Sequence, residues 1–195
     1  HETEGRCRFM KPIVGLSKDQ YLGYQIPVEY VTWEHVRVEI EALGDSLDIR
    51  LVPARFEYPK MKSFVMELFP PYYENAEAYG VFDGEKPIAM MELNEEIWNK
   101  RLRVTELWVA DEWRHKGYGS ALLQHAKQLA QQKGCRMVIL ETQTCNTAAI
   151  NLYRKNGFTV IGLDTTCYQN DDVERGEVRL ELGCKIEGAG ADDPR

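Results

Sequence analysis

A short run of glycines and cations near the middle of the chain could hold a phosphate group. The run reads Arg114-His115-Lys116-Gly117-Tyr118-Gly119-Ser120 and stands directly before a stretch with helical periodicity. The first backbone N–H groups of a helix have no intrahelical acceptor, and the helix dipole favours negative charge at that end. Glycines let the main chain approach a phosphate, and Arg114 and Lys116 add positive charge. The run therefore indicates an anion cradle, or else a tight strand-to-helix turn with two solvated cations.

The spacing excludes two common nucleotide-binding motifs. A dinucleotide fingerprint needs a third small residue at position 122, where this chain has Leu122. A P-loop needs Gly-Lys followed by Ser or Thr, which does not occur here.

The segments before the glycine run alternate as β-strands do. Apolar and charged residues alternate over residues 28–56, with a turn signal at Gly44-Asp45-Ser46, so this segment predicts a hairpin. A second hairpin is predicted over residues 76–93, because Asp83-Gly84-Glu85 tolerates the positive φ of a tight turn. Residues 102–109 predict one more strand.

The segments after the run alternate between strands and helices. A helix is predicted from the run to about Lys133, because apolar residues recur on one face and Gly134 stands at the expected helix stop. The remaining predicted elements are a strand at 137–140, a helix at 147–155 and strands at 158–161 and 178–182. Antiparallel strands followed by strand–helix alternation predict a mixed α/β fold in a single domain.

Composition narrows the classes of partner. The chain has 195 residues, of which 44% are hydrophobic and 28% charged, as in an ordinary globular domain. Its net charge of −7 argues against a nucleic-acid partner, and it either attracts a cationic substrate or merely favours solubility. No apolar run approaches the roughly 20 residues that span a bilayer, so no membrane association is expected.

The cysteines and histidines indicate neither a disulfide framework nor a metal site. Five cysteines without a C-x-x-C pair, and four scattered histidines, lack the spacing of metal ligands. We therefore expect no metal and a reducing, cytoplasmic location.

Two sequence blocks resemble a known family. The glycine run, read as Arg114-x-x-Gly117-x-Gly119 after Leu107-Trp108-Val109-Ala110-Asp111, resembles motif A of the GNAT superfamily of N-acetyltransferases. The second block resembles motif B in order and spacing: Leu140-Glu141, Asn146, Ala148-Ala149-Ile150, Leu152-Tyr153 and Asn156-Gly157-Phe158. The two blocks cover about residues 103–161, and the strand pattern extends the likeness to about 76–185.

A closer resemblance is to streptothricin (nourseothricin) acetyltransferases. It rests on residues 157–168 (GFTVIGLDTTCY), on Trp98-Asn99-Lys100-Arg101-Leu102 and on the hairpin at residues 45–53. The family resemblance implies a GNAT-like fold, with a central, mostly antiparallel twisted sheet of about six to seven strands flanked by helices. In that fold the sheet is splayed between its fourth and fifth strands.

The resemblance also implies acetyl-CoA as the cosubstrate, bound in the gap between strands 102–109 and 136–142. The backbone of Trp108 and Val109 would lie beside the pantetheine and thioester, and a backbone N–H near Val109 could support the oxyanion. Asn146 would bind the pantetheine or cap its helix. The residues that would hold the pyrophosphate are Arg114, Lys116, Gly117, Tyr118, Gly119 and Ser120.

Acetyl transfer to an amine needs a base and gains from an acid. An alkylamine has a pKa near 10.4, so fewer than about one molecule in a thousand is neutral at pH 7. Glu106 is the first candidate base, although it could be a solvated strand carboxylate that only attracts the cation, and Glu92 and Glu141 are lesser candidates. Tyr153 takes the family's general-acid position, or else anchors its helix.

The acceptor side is less defined. The resemblance implies a cationic amine substrate, a streptothricin-type antibiotic acetylated on its β-lysyl arm, in a pocket lined by Glu92, Asp164 and Tyr168. A run of aromatic residues, Phe69, Tyr72 and Tyr73, could face the acceptor or belong to the core. A polyamine, an aminoacyl compound or a protein lysine remain alternative acceptors, and a non-catalytic acetyl-CoA sensor is a further alternative.

The expected organisation is one acetyltransferase domain over residues 1–195. Within it we expect an N-terminal extension (1–25), a variable acceptor-side part (26–75), an acetyl-CoA-binding core (76–186) and a flexible tail (187–195). Related folds often form homodimers. Cys145 lies beside the expected site, but no histidine near it in sequence would activate its thiol, which disfavours a covalent acetyl-cysteine.

Overall fold

The computed structural model describes residues 10–188. Its strands are β1 (Val14–Leu16), β2 (Gln25–Leu43), β3 (Ser46–Glu67), β4 (Ala76–Asp83), β5 (Lys86–Glu96), β6 (Arg101–Val109), β7 (Met137–Gln143), β8 (Thr159–Asp164) and β9 (Arg179–Lys185). Its α-helices are α1 (Lys18–Tyr21), α2 (Tyr118–Gln132) and α3 (Thr147–Lys155), and short 3₁₀ turns cover Ile97–Asn99 and Asp111–Trp113.

Seven strands form one sheet in the order β1-β4-β5-β6-β7-β9-β8. β6 and β7 run parallel, and the other pairings of this sheet within residues 10–188 are antiparallel. The predicted mixed α/β fold with a mostly antiparallel sheet is therefore confirmed. The edge strand β1, which pairs with β4, lies in the stretch before residue 25 where the sequence predicts no element.

The sheet opens between its fourth and fifth strands, as the family resemblance implies. β6 pairs with β7 only from Arg101 to Val104, opposite Met137 to Leu140. β6 then continues to Val109 with β5 alone, while β7 continues to Gln143 with β9 alone. Since no strand within the described residues bridges the two beyond this point, a gap lies between the last residues of β6 and those of β7.

A β-bulge in β6 changes which side chains face which side of the sheet. Leu93 of β5 pairs with Val104, but its neighbour Glu92 pairs with Glu106, so Thr105 is an extra residue. Residues directly opposite each other in an antiparallel pair share a face, and a bulge turns the following side chain round. Val104 therefore lies in the main core with Leu93, whereas Glu106 shares the opposite face with Glu92.

The main core lies between the sheet and helices α2 and α3. α2 buries the apolar stripe that its periodicity predicts, and α3 buries Ile150 and Tyr153. The two helices meet at Gly119, where an added Cβ would lie 3.0 Å from Leu152 Cδ2. A larger residue here would push α3 away from the first turn of α2.

The predicted N-terminal hairpin is confirmed and is longer than expected. β2 and β3 pair from Gln25 to Glu67 and form a separate two-stranded sheet. The hairpin is tied to the rest of the chain by a backbone bond from Val36 N–H to Thr144 O, 2.9 Å long. It is also held by ion pairs of Lys60 (2.8 Å) and Lys62 (3.0 Å) with the buried Glu177. This joins the hairpin to the segment before β9.

No helix within residues 10–188 is long and apolar enough to cross a bilayer. The expected flexible tail lies mostly outside the described residues, which end at 188.

Candidate active site

The first turn of α2 presents unpaired backbone donors beside the gap in the sheet. The first intrahelical bond runs from Ala121 N–H to Gly117 O at 2.9 Å, so the N–H groups of Tyr118, Gly119 and Ser120 have no intrahelical acceptor. Gly117 precedes the helix with φ of +91°, a conformation that glycine adopts without strain. This geometry suits an anion at the helix N-terminus.

The two cations of the run turn to local partners. Arg114 pairs with Asp111 at 2.9 Å and its Nε lies 3.4 Å from Val109 O. Lys116 donates to Glu112 O, with its Nζ 4.7 Å from the centre of the Trp113 ring. Both side chains remain exposed at the rim. They can swing toward an anion, but in this conformation the backbone N–H groups are the free donors.

Tyr118 and Ser120 offer the anion their backbone more than their side chains. The Tyr118 side chain is buried in the main core, with its ring 5.7 Å from that of Trp113. The Ser120 hydroxyl accepts a hydrogen bond of 3.0 Å from Asn156 Nδ2 and so links α2 to the end of α3.

Glu106 stands just beyond the bulge, where β6 and β7 have separated. Burial is the main reason that its pKa is raised to about 7, and the negative charges of Glu92 and Glu141 raise it further. No hydrogen-bond donor to its carboxylate is found within residues 10–188. A carboxyl group that loses its proton near neutral pH can accept one from a cationic amine in the same range.

Tyr153 is carried by α3. Its side chain is only 8% exposed, and its ring packs 6.2 Å from that of Phe158. Burial raises the pKa of Tyr153, and the negative charge of Glu106 raises it further. The phenol stays protonated at neutral pH and is able to donate a proton.

Asn146 caps α3. Its Oδ1 accepts a hydrogen bond from Ala149 N–H at 3.2 Å, so the capping role that the sequence left open is the one formed here. Trp108 and Val109 form the end of β6 along the gap, opposite Met90 and Ala89 of β5.

Comparison with known proteins identifies this arrangement. The family model for "Acetyltransferase (GNAT) family" matches residues 48–158 of the chain.

The chain belongs to the GNAT acetyltransferase family.

Individual relatives point in the same direction. A streptothricin acetyltransferase of Streptomyces lavendulae is 32% identical over 154 residues, which are 74% of this chain and 79% of the relative. A streptothricin acetyltransferase of Escherichia coli is 35% identical over 49% of this chain and 55% of its own length. The chain is thus an N-acetyltransferase of the GNAT family.

Solved structures share the fold. A crystal structure of nourseothricin acetyltransferase superposes with a TM-score of 0.70 at 24% identity and covers 91% of this chain and 99% of its own. A Bacillus anthracis protein described as a streptothricin acetyltransferase, in complex with acetyl coenzyme A, also has a TM-score of 0.70, at 22% identity, and covers 90% of this chain and 99% of its own. These likenesses show the GNAT fold.

Within this GNAT chain, Glu92 does not face a binding pocket. Its side chain has no exposed surface. One carboxylate oxygen accepts the N–H of Phe69, and the other accepts the Thr105 hydroxyl at 2.8 Å. Direct contact with a substrate, which the sequence suggests for Glu92, is not available in this conformation, because protein donors occupy both oxygens.

Asp164 and Tyr168 lie on the far side of the gap, at and after the end of β8. Asp164 is exposed, and its Oδ1 accepts the N–H of Thr166 at 3.0 Å, so it closes a turn. The backbone of Tyr168 is held by the buried Asp172 at 2.8 Å, and its side chain is 37% exposed. Burial is the main reason that the pKa of Tyr168 is raised, and the negative charge of Glu141 raises it further.

Three more side chains belong to this side of the site, and sequence reasoning gave them little or no role. Burial is the main reason that the pKa of Tyr73 is raised, and the charges of Glu141 and Glu106 raise it further. Burial and the neighbouring Cys145 raise the pKa of Tyr30 in the hairpin. Glu141 itself pairs with Arg179. No spacing signal links Tyr30 to residues more than a hundred positions later, so only the folded hairpin reveals it.

The aromatic run before β4 divides between two roles. Phe69 is buried in a second apolar cluster, Tyr72 is exposed, and Tyr73 is half-buried.

Cys145 is fully buried, with its Sγ 3.8 Å from the Tyr30 hydroxyl, and burial raises the pKa of its thiol. That environment disfavours a thiolate nucleophile.

Proposed function

We propose that this chain transfers the acetyl group of acetyl-CoA directly to a primary amine of a small cationic substrate, within a ternary complex. The proposal is supported by the position of Glu106, which stands where β6 and β7 separate and whose charge raises the pKa of the buried Tyr153, while the first N–H groups of α2 have no intrahelical acceptor. One group accepts protons near pH 7, and the other keeps its proton there. These are the two proton transfers that amide formation from an ammonium ion and a thioester requires.

The residues around the gap fit acetyl-CoA. The N–H groups of Tyr118, Gly119 and Ser120 would hold the pyrophosphate, with Arg114 and Lys116 at the rim. The open edges of β6 and β7 offer unpaired main-chain groups to the pantetheine. Negative charge builds up on the carbonyl oxygen of the acetyl group when the amine attacks. The backbone N–H near Val109 would donate a hydrogen bond to that oxygen. The coenzyme supplies the activated acetyl group.

Glu106 would accept the proton of the incoming amine, directly or through one water. The amine nitrogen then forms a bond to the acetyl carbon while the carbon–sulfur bond breaks. Tyr153 would donate its proton to the departing sulfur. The nitrogen releases its second proton as the amide forms, which restores the Tyr153 phenol directly or through solvent, and the proton held by Glu106 returns to solvent. Asn146 would contribute by fixing the start of α3 and hence the position of Tyr153.

We infer that the acceptor is a streptothricin-type antibiotic, acetylated on an amine of its β-lysyl arm. The relatives named as streptothricin acetyltransferases support this substrate, and the acidic, aromatic surroundings of Glu106 suit a cation. Glu141, Tyr73 and Tyr168 would line its path, with Asp164 at the rim.

A thiol-release assay tests both levels of the proposal. The purified chain is given acetyl-CoA with streptothricin, spermidine or a lysine peptide, each at matched concentration. We expect free CoA at a rate above background, and a kcat/KM for streptothricin at least about tenfold above those of the other amines. Turnover of spermidine or the peptide alone would refute the antibiotic and keep the transferase, whereas no release with any amine would refute the transferase chemistry.

A further inference from the structure

The carboxylate of Glu92 connects three parts of the site without touching the surface. It is fully buried on β5, directly opposite Glu106 of β6 in the strand register. Its two oxygens accept hydrogen bonds from Thr105, the extra residue of the bulge, and from the backbone N–H of Phe69. Phe69 has φ of +57°, an uncommon conformation for a bulky residue, so this bond helps to hold a strained position.

We propose that Glu92 is a positioning residue for the reaction. It fixes the bulge that turns Glu106 toward the acceptor side, and it holds the negative charge of the carboxyl pair, so that the shared proton stays on Glu106. The inference rests on the proposed function, because it assigns to Glu92 the tuning of the proposed base.

The hydrogen bonds decide which carboxyl of the pair keeps the proton. Burial raises the pKa of Glu92, but the bonds from Phe69 and Thr105 and the charge of Lys18 act in the opposite direction. Glu106 lacks such donors, so burial and the charge of Glu92 both raise its pKa. Two carboxyls on directly opposed residues cannot both ionise readily, and the better-solvated partner ionises first. Here the N–H of Phe69 and the hydroxyl of Thr105 take the place of water around Glu92, so Glu92 is the partner that ionises first.

Other groups also face Glu106, and their contribution must be separated. Glu141 of β7 is a second negative charge, but it is paired with Arg179 and half exposed. Tyr153 of α3 and Tyr73 of the segment before β4 are phenols that stay neutral. Of the two carboxylates that act on Glu106, Glu92 is the one that is fully buried and has no arginine or lysine bonded to it within the described residues.

NMR titration of the free chain with ¹³C-labelled glutamate carboxyls tests the proposal without any substrate. We compare wild type, Glu92→Gln and, as the matched control on the same strand, Glu95→Gln. Gln keeps the size of the side chain and can still bond to both Phe69 and Thr105, so the variant removes charge and retains geometry. We expect the Glu106 midpoint to fall by about one pH unit or more in Glu92→Gln and to stay in place in Glu95→Gln. The acid limb of kcat/KM should move by the same amount.

An unmoved Glu106 midpoint in folded Glu92→Gln would overturn the proposal, as would an equal shift in the control. If Glu92→Gln does not fold, the wild-type spectra decide. A coupled pair shows both carboxyl resonances responding at the same two steps, and a Glu92 resonance with no inflection at the Glu106 midpoint refutes the coupling. A shift of the midpoint in a chain with no acetyltransferase activity would keep this inference about the pair and refute only the proposed function.

Discussion

Replacing Glu106 by Gln should stabilise the folded chain while it slows the reaction. Burial and the neighbouring carboxylates raise the pKa of Glu106 from 4.5 to about 7. The charged form is therefore disfavoured in the folded state relative to the unfolded one. Below pH 4.5 the group is neutral in both states and contributes no difference, whereas above pH 7 it is charged in both and folding carries the full cost.

The size of this effect follows from the shift. Each pKa unit corresponds to about 1.4 kcal/mol, so the shift of the Glu106 pKa sets an upper limit of about 3 kcal/mol on the destabilisation at pH 8. Gln is neutral at every pH. We therefore expect the free energy of unfolding of Glu106→Gln to equal that of wild type at pH 4 and to exceed it by about 1–3 kcal/mol at pH 8.

The assays are urea unfolding at pH 4, 6 and 8 and the pH dependence of kcat/KM for the same two proteins. The wild-type kcat/KM should rise through a midpoint near pH 7, because about half of the base is ionised in the free chain there. Glu106→Gln should lose about 10²- to 10⁴-fold at pH 7 and recover about tenfold per pH unit as the amine itself loses its proton. Equal stabilities at pH 8, or a kcat/KM profile with the same midpoint in both proteins, would refute the reasoning.

Two further substitutions test groups on either side of the gap. Tyr153→Phe removes only a hydroxyl from a ring packed against Phe158. We expect kcat to fall by about 10²-fold and calorimetry to show unchanged affinity for acetyl-CoA. A parallel loss of affinity would give Tyr153 a structural role. Glu177→Gln should destabilise the chain by about 1–3 kcal/mol at pH 7. Although burial opposes it, bonding to Lys60 and Lys62 lowers the pKa of Glu177 to about 2, so the difference in unfolding free energy should vanish as the pH falls from 4.5 to about 2. Identical urea midpoints at pH 7 would contradict that expectation.

Sequence patterns predicted the framework because each pattern reflects a local cause. Alternation marks the hairpin of β4 and β5, and Asp83-Gly84 marks its turn. The glycine run marks the start of α2, since a residue at +91° favours glycine and close contact with Leu152 favours a second one. The fold and the start of α2 at the glycine run could therefore be predicted from the sequence.

The surroundings of the carboxylates could not be predicted in the same way. Nothing in the residues 101–109 signals that Thr105 is an extra residue, because a bulge depends on pairing with another strand. Without the bulge, simple alternation would set Glu106 on the same face as Val104, in the core. The sequence likewise suggests Glu92 as a substrate contact, whereas the folded chain buries it and bonds it to the N–H of Phe69, 23 residues earlier. A contact between such distant residues leaves no local pattern in the sequence.

The bulge and the opening of the sheet occur at the same level of β6, and this places Glu106, the proposed base, at the opening. Val104 is the last residue of β6 paired with β7, and Thr105 is the extra residue. Glu106 is thus the first residue that has both lost the neighbouring strand and turned to the opposite face. Losing the neighbour leaves β6 with an open edge on the side of the gap, while turning the side chain sets a carboxylate on the face away from the main core. In the proposed reaction, a single irregularity in one strand would therefore provide a coenzyme-side edge and an acceptor-side base within one residue of each other.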